Sequence, residues 1–206
     1  MKEQNNFYMQ FSMQINKLWK NFFLLIVFFA YLFLNSNAMA SREAPYKVVH
    51  ENDIYEVRHY SDRLVIEVIQ VNDNRSFRQL FNYIAGENSN TEKIEMTTPV
   101  TQTKKDNKSF MQFFLPPRFS KENVPTPNNP NIKIDTIEEG YFAVIKYSGR
   151  LTEKNFEKHV KILKQKLFED KVSIIGTPIR ATYNGPFTLP SLRRNEVMFS
   201  VDWKNN

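Results

Sequence analysis

Three histidines, His50, His59 and His159, carry the only imidazoles of the chain. Neutral imidazole ligates iron and zinc, and it moves protons near neutral pH. The three lie far apart in sequence, without the spacing of a local metal motif. His59 is the one best placed for chemistry. In Tyr55, Val57 and His59 alternate strand residues share a face, and the first two are amphipathic or apolar. That puts His59 on the core or pocket side and makes it the candidate metal residue. Two roles suit it: an axial ligand to iron, or a half-buried strand histidine satisfied by a backbone carbonyl. His159 falls beside a helical apolar stripe, between Phe156 and Val160, as a boundary residue. His50 precedes Glu51-Asn52-Asp53 in a polar turn, where solvation is expected. Met96, in Lys93-Ile94-Glu95-Met96-Thr97-Thr98-Pro99-Val100, is either a thioether ligand or core filler.

A second cluster lies near the C-terminus, in the segment from Tyr183 to Val197. Apolar Phe187, Leu189 and Leu192 stand in a turn-rich stretch that ends on Arg193-Arg194. Apolar side chains beside guanidinium groups suit a flat apolar ligand with carboxylate edges. The alternative is a loop that plugs one end of the fold, with Arg194 paired to Glu196.

The absences are as informative. With no cysteine, disulfides, thiolate catalysis, Cys-ligated zinc, iron–sulfur clusters and C-x-x-C-H haem attachment are excluded. No G-x-S-x-G, H-E-x-x-H, G-x-x-x-x-G-K or G-x-G-x-x-G occurs, and five glycines are too few for a phosphate cradle. The pattern reads as a binding protein and not as an enzyme.

Strand and helix periods supply the frame that must hold these residues. Ile54–Tyr60 and Leu64–Val71 alternate as strands. Over 75–85 the apolar residues Phe77, Leu80, Phe81 and Ile84 switch to helical spacing. Strands near 94–103 and 109–115 follow, then a proline-rich surface loop over 116–131. Ile132–Ile137 and Tyr141–Tyr147 read as a hairpin around Glu138-Glu139-Gly140. Thr152 caps a helix running to Asp170, with Phe156, Val160, Leu163 and Leu167 on one face. Strands near 174–183 and 195–202 close the chain. The expected class is α+β: a twisted eight-stranded barrel-like antiparallel sheet built from two strand-strand-helix-strand-strand halves, with two flanking helices. A cleft between sheet and helices is the expected ligand site.

Residues 1–40 stand apart from that frame. Lys17 and Lys20 precede an uncharged run, Phe22–Leu34, and Ala38-Met39-Ala40 gives a small-x-small cleavage pattern. This is the layout of a secretory signal peptide with cutting after Ala40. Thirteen helical residues reach roughly 20 Å, short of a ~30 Å hydrocarbon core. The expectation is an exported protein, periplasmic or secreted, that touches membrane only through this segment, with residues 41–206 as one domain. The net charge of +6 falls to +4 without residues 1–40. The remaining Lys and Arg are mixed with Asp and Glu, without the basic stripe of a nucleic-acid binder. A monomer is expected.

Tyr55-Glu56-Val57-Arg58-His59-Tyr60, Lys93 to Val100, Phe113-Phe114-Leu115-Pro116 and Arg193-Arg194-Asn195-Glu196-Val197 resemble, in order and spacing, the SOUL haem-binding family. The resemblance spans about residue 45 to 203. It implies a twisted eight-stranded barrel-like sheet with two helices, and non-covalent binding of haem or a related porphyrin. It also implies His59 as the axial ligand, although many relatives lack that histidine and hold the ring by apolar and cationic contacts. The cofactor-binding candidates are therefore His59, Arg193, Arg194, Met96 and Phe187. The implied role is a haem or porphyrin carrier, buffer or scavenger. Two other classes fit the fold: an envelope interaction or structural module without haem, and a tetrapyrrole-modifying enzyme.

Overall fold

Both faces of the central strands are apolar, and the fold follows from covering both. In Gly140–Tyr147, Ala143 and Ile145 point one way while Phe142 and Val144 point the other, and all four are buried. Asn195–Asp202 behaves alike, with Val197, Phe199 and Val201 opposed to Met198. The computed structural model describes residues 42–203 together with Trp19. The chain divides into two units, Met1–Ala40 and Ser41–Asn206, and the fold described belongs to the second. The predicted signal peptide lies outside the described residues apart from Trp19. Among the described residues no helix is long and apolar enough to cross a membrane.

The described strands are β1 (Arg42–Glu43), β2 (Lys47–Glu51), β3 (Glu56–Tyr60), β4 (Arg63–Ile69), β5 (Thr97–Thr98), β6 (Val100–Lys105), β7 (Lys108–Phe114), β8 (Lys133–Ile137), β9 (Gly140–Tyr147), β10 (Ser173–Ile174), β11 (Ile179–Thr182) and β12 (Asn195–Asp202). The helices are α1 (Asp73–Ile84) and α2 (Glu153–Glu169). One antiparallel sheet runs in the order β2-β3-β9-β12-β11-β6-β7-β4-β8, with β10 added on β12. It curls into a half-barrel that carries both helices, the expected α+β class. The eight strands of the two strand-strand-helix-strand-strand halves form its body, and β2 extends one edge.

The expected hairpin over 132–147 does not form. β8 pairs with β4, whereas β9 pairs with β3 and β12. Each half therefore lends its first strand to the other: β3 of the first half lies on β9, and β8 of the second lies on β4. Both connecting turns cross between the two ends of the sheet and meet there. The Glu139 amide donates to Asp62 Oδ1 at 2.6 Å.

Helix α1 starts on Asn72, whose side chain accepts from the Arg75 amide at 3.2 Å. Its stripe is Ser76, Leu80, Tyr83 and Ile84, with Phe77 partly covered. Phe81, expected inside, is 45 % exposed. Tyr83 takes the inner position because its hydroxyl finds a partner, donating to the Pro125 carbonyl at 2.7 Å on the proline-rich loop. Helix α2 follows the expected pattern. The Thr152 hydroxyl accepts from the Asn155 amide, and Phe156, Val160, Leu163 and Leu167 are all buried.

Ladder partners share a face. Phe113, Val100, Thr182, Asn195 and Tyr147 stand in register across five strands, on the helix-covered face. The adjacent row is Glu67, Gln112, Thr101, Ala181, Glu196 and Lys146, and it faces away from the helices. All of its members but Lys146 are buried. The apolar face receives the helices, and the opposite face holds a polar line through the interior.

Candidate functional site

The polar line leads to a buried ionic cluster. Arg58 on β3 and Glu196 on β12 are both 0 % exposed. Two guanidinium nitrogens of Arg58 donate to the two carboxylate oxygens of Glu196 at 2.9 Å each. The Tyr183 hydroxyl donates to Glu196 at 2.7 Å, and Arg194 Nε donates to it at 2.8 Å. Arg194 also grips Glu43 through two bonds of 2.9 Å and lies over the Tyr183 ring. Arg58 reaches back to Glu56, which Lys146 contacts at 3.1 Å. Burial alone would raise the Glu196 carboxyl, but its bonds to Arg58 and Tyr183 hold it below the usual range. Burial would lower the Arg58 guanidinium, and Glu196 pushes it up instead. Burial drives the Tyr60 phenol up to about 12 and Tyr183 higher still. The Glu196 carboxylate and the Arg58 and Arg194 guanidinium groups are thus held in their charged forms, and the Tyr60 and Tyr183 phenols in their neutral forms. The cluster clamps β1, β3 and β12 together.

Arg63 on β4 is different. Its guanidinium lies over the rings of Tyr60, Phe142 and Phe114, with centroid distances of 3.9, 4.9 and 5.1 Å. Its Nε is buried with no hydrogen-bond partner, and among the described residues no carboxylate pairs with it. Burial pushes its pKa down to about 10.

The predicted ligand residues do not converge. His59 pairs in the sheet with Tyr141, while Asn195, next to Arg194, pairs with Tyr147. Six residues of β9 separate those registers, about 20 Å at the rise of an extended strand. His59 also shares the helix-side face with Tyr141, with its ring 4.8 Å away, whereas Arg194 joins the cluster on the opposite face. The His59 side chain is 28 % exposed, and its Nε2 lies 2.8 Å from Glu139 Oε1. Met96 packs against the α1 side of the core with Leu80 and Phe113. Arg193 donates to the carbonyls of Thr188 and Pro186, closing the 186–193 loop on itself. That loop leaves Phe187 99 % exposed, beside exposed Leu189 and Leu192. Arg194 adopts the ion pair with Glu196 that the sequence offered as its alternative. The space between sheet and helices, where a cleft was expected, is filled by fully buried Leu80, Tyr83, Leu163 and Leu167.

An open cleft of about 770 Å³ lies elsewhere, between the β2–β3 turn, the C-terminal end of α2 and the end of β12. His50, Tyr55 and Trp203 line it. The His50 ring lies 5.2 Å from Trp203 and 5.7 Å from Tyr55. Asn52 shapes the turn, accepting from the amides of Ile54 and Tyr55 at 2.9 Å. The Tyr55 hydroxyl donates to Asp170 at 2.9 Å and holds that carboxyl below the usual range. His50, expected to be solvated, is half-buried against these rings. One of those rings, Trp203, comes from 153 residues away, so no local pattern announces it. Arg58 and Glu196 were nearer to view. Both stand in segments singled out above, on the strand positions alternate to His59 and Val197.

The family model described as SOUL heme-binding protein matches residues 41–200. A search of curated proteins finds no match. Among solved structures, the C-terminal domain of EcmrR is 13% identical with a TM-score of 0.52, covering 76% of this chain and 98% of that chain. A hydrolase from Listeria innocua is 12% identical with a TM-score of 0.51, covering 75% of this chain and 94% of that one. EcmrR in a DNA complex is 15% identical with a TM-score of 0.52, covering 94% of this chain and 69% of that chain. At these identities the likeness is one of fold alone.

Proposed function

Because the chain belongs to the SOUL haem-binding family, we propose that it binds haem or a related porphyrin non-covalently, as a carrier, buffer or scavenger. The match over residues 41–200 carries this reading. The residues present fit such a group. Two half-buried imidazoles, His50 and His59, stand at the surface of the fold, and the cleft volume lies within the range of small-molecule sites. Haem, when bound, would supply an iron able to take an imidazole nitrogen, which His50 or His59 would hold out to it. The chain's own work is to shelter the ring, present a nitrogen and meet the carboxylate edges with cations. The test is a titration of the purified chain with hemin. A Soret shift that saturates at one equivalent is expected, and no saturable shift at micromolar hemin would remove the reading.

The filled face of the half-barrel favours the second reading, an envelope module without haem. Arg58, Glu196 and Tyr60 occupy the space that a macrocycle would need there. The same titration separates the two. Export belongs to the proposal as well, with residues 1–40 removed after Ala40. N-terminal sequencing of the exported protein should begin at Ser41, and an intact Met1 would overturn it.

A further inference from the structure

The cleft holds a combination found at none of the sites predicted from sequence: space, aromatic walls and an imidazole whose nitrogen is weakly held. We infer that a porphyrin ring lies against Trp203 in this cleft, with His50 and not His59 presenting the nitrogen to its metal; this rests on the haem-binding reading. Three observations carry it. The first is room. The cleft measures about 770 Å³, whereas the sheet–helix interface and the opposite sheet face are packed. The second is ring surface. Trp203, His50 and Tyr55 form a contiguous aromatic wall, and flat π-systems gain from offset contact with such a wall.

The third is the state of the two imidazoles. His59 Nε2 is engaged 2.8 Å from Glu139, so ligation through that atom must first break the contact. Among the described residues His50 Nε2 has only the Asn52 amide at 3.5 Å, a distance at the limit of hydrogen bonding. The charges around the cleft are mixed. Asp53, Asp170 and Asp202 line it along with Lys166 and Lys171. Lys166 is committed to Glu169 and Asp170. Lys171, at the turn after α2 with φ +57°, has no carboxylate partner among the described residues and is the cation left to meet a propionate.

The experiment titrates the full chain and four variants with hemin and, separately, with metal-free protoporphyrin IX. His50→Ala should abolish the ligation signature in the Soret region and should weaken hemin far more than metal-free protoporphyrin, which loses only one ring of the aromatic wall. Trp203→Ala should weaken both porphyrins about tenfold. Lys171→Glu, an exposed change that leaves the core untouched, should weaken both severalfold and guards against a Trp203 variant that fails to fold. His59→Ala should match wild type. If wild type binds but the spectrum ignores His50, or only His59→Ala changes it, the site assignment is overturned while haem binding stands. If wild type shows no saturable shift with either porphyrin, the haem reading fails and the site falls with it.

Discussion

Arg58 and Glu196 stand 138 residues apart in sequence and meet side by side in the interior, two nitrogens on two oxygens at 2.9 Å. Neither touches solvent. Such a pair adds little over a well-packed apolar pair, but losing one member strands the other charge in a dry interior.

Arg58→Met should therefore destabilise the fold by about 3–5 kcal/mol. Arg63→Met should be neutral or stabilising, because Arg63 has no counter-charge to strand among the described residues and already leaves Nε unsatisfied. Urea denaturation of the two variants measures the contrast. Equal losses would show that the rings around Arg63 hold it as firmly as Glu196 holds Arg58.

The same pair sets a pH limit. Glu196 is held below its ordinary value of 4.5 in the folded state, so the folded protein favours its ionised form. That contribution is complete above about 4.5 and is lost as pH falls from there through the lowered folded value. Asp170, below its ordinary 3.8, adds to the loss in the same direction. Thermal melting from pH 7 down to 3 should show a flat region and then a falling acid limb. In Glu196→Gln the limb should be shallower and the plateau lower. An unchanged limb would mean that other carboxylates control acid unfolding.

Packing gives a third contrast. Leu163 on α2 is fully buried, and Leu163→Ala should cost about 2–5 kcal/mol. Phe187, fully exposed on the 186–193 loop, should tolerate Ala within about 0.5 kcal/mol. Differential scanning calorimetry decides between these values. A large loss at Phe187 would mean that its loop is covered in solution.

Gly149 supplies a fourth. Its φ of +107° suits glycine, and an added Cβ would stand 2.9 Å from the Asn155 amide nitrogen. That amide donates to the carbonyls of Ser148 and Arg150 at 3.1 Å, tying the loop to the start of α2. Gly149→Ala should lower stability by about 1 kcal/mol or more, measured as a shift of the urea midpoint.

What the sequence made legible was local. Thr152 and the Phe156–Leu167 stripe of α2 needed only a cap rule and a period of 3.6, and both appear as expected. Strand positions likewise emerged from alternation. The choice of strand partner did not. Gly140 after two glutamates reads as a hairpin turn, yet β8 leaves for β4, because the pairing is decided by the other half of the chain. The site failed to emerge for a related reason. Apolar alternation drew attention to Tyr55, Val57 and His59, while the intervening Glu56, Arg58 and Tyr60 are buried on the opposite face, where Glu56 and Arg58 carry the charges. A buried arginine looks exposed until its carboxylate is found, and that carboxylate lies at the far end of the chain. His50 and Trp203 repeat the lesson across 153 residues.

The reciprocal loan of β3 and β8 has a consequence for how the molecule comes apart. Neither half closes its own sheet, so neither can open without robbing its neighbour of a hydrogen-bonded strand. Partial melting of one half is thereby discouraged, and amides of β4 and β9 should exchange with deuterium at a common rate, as one cooperative unit.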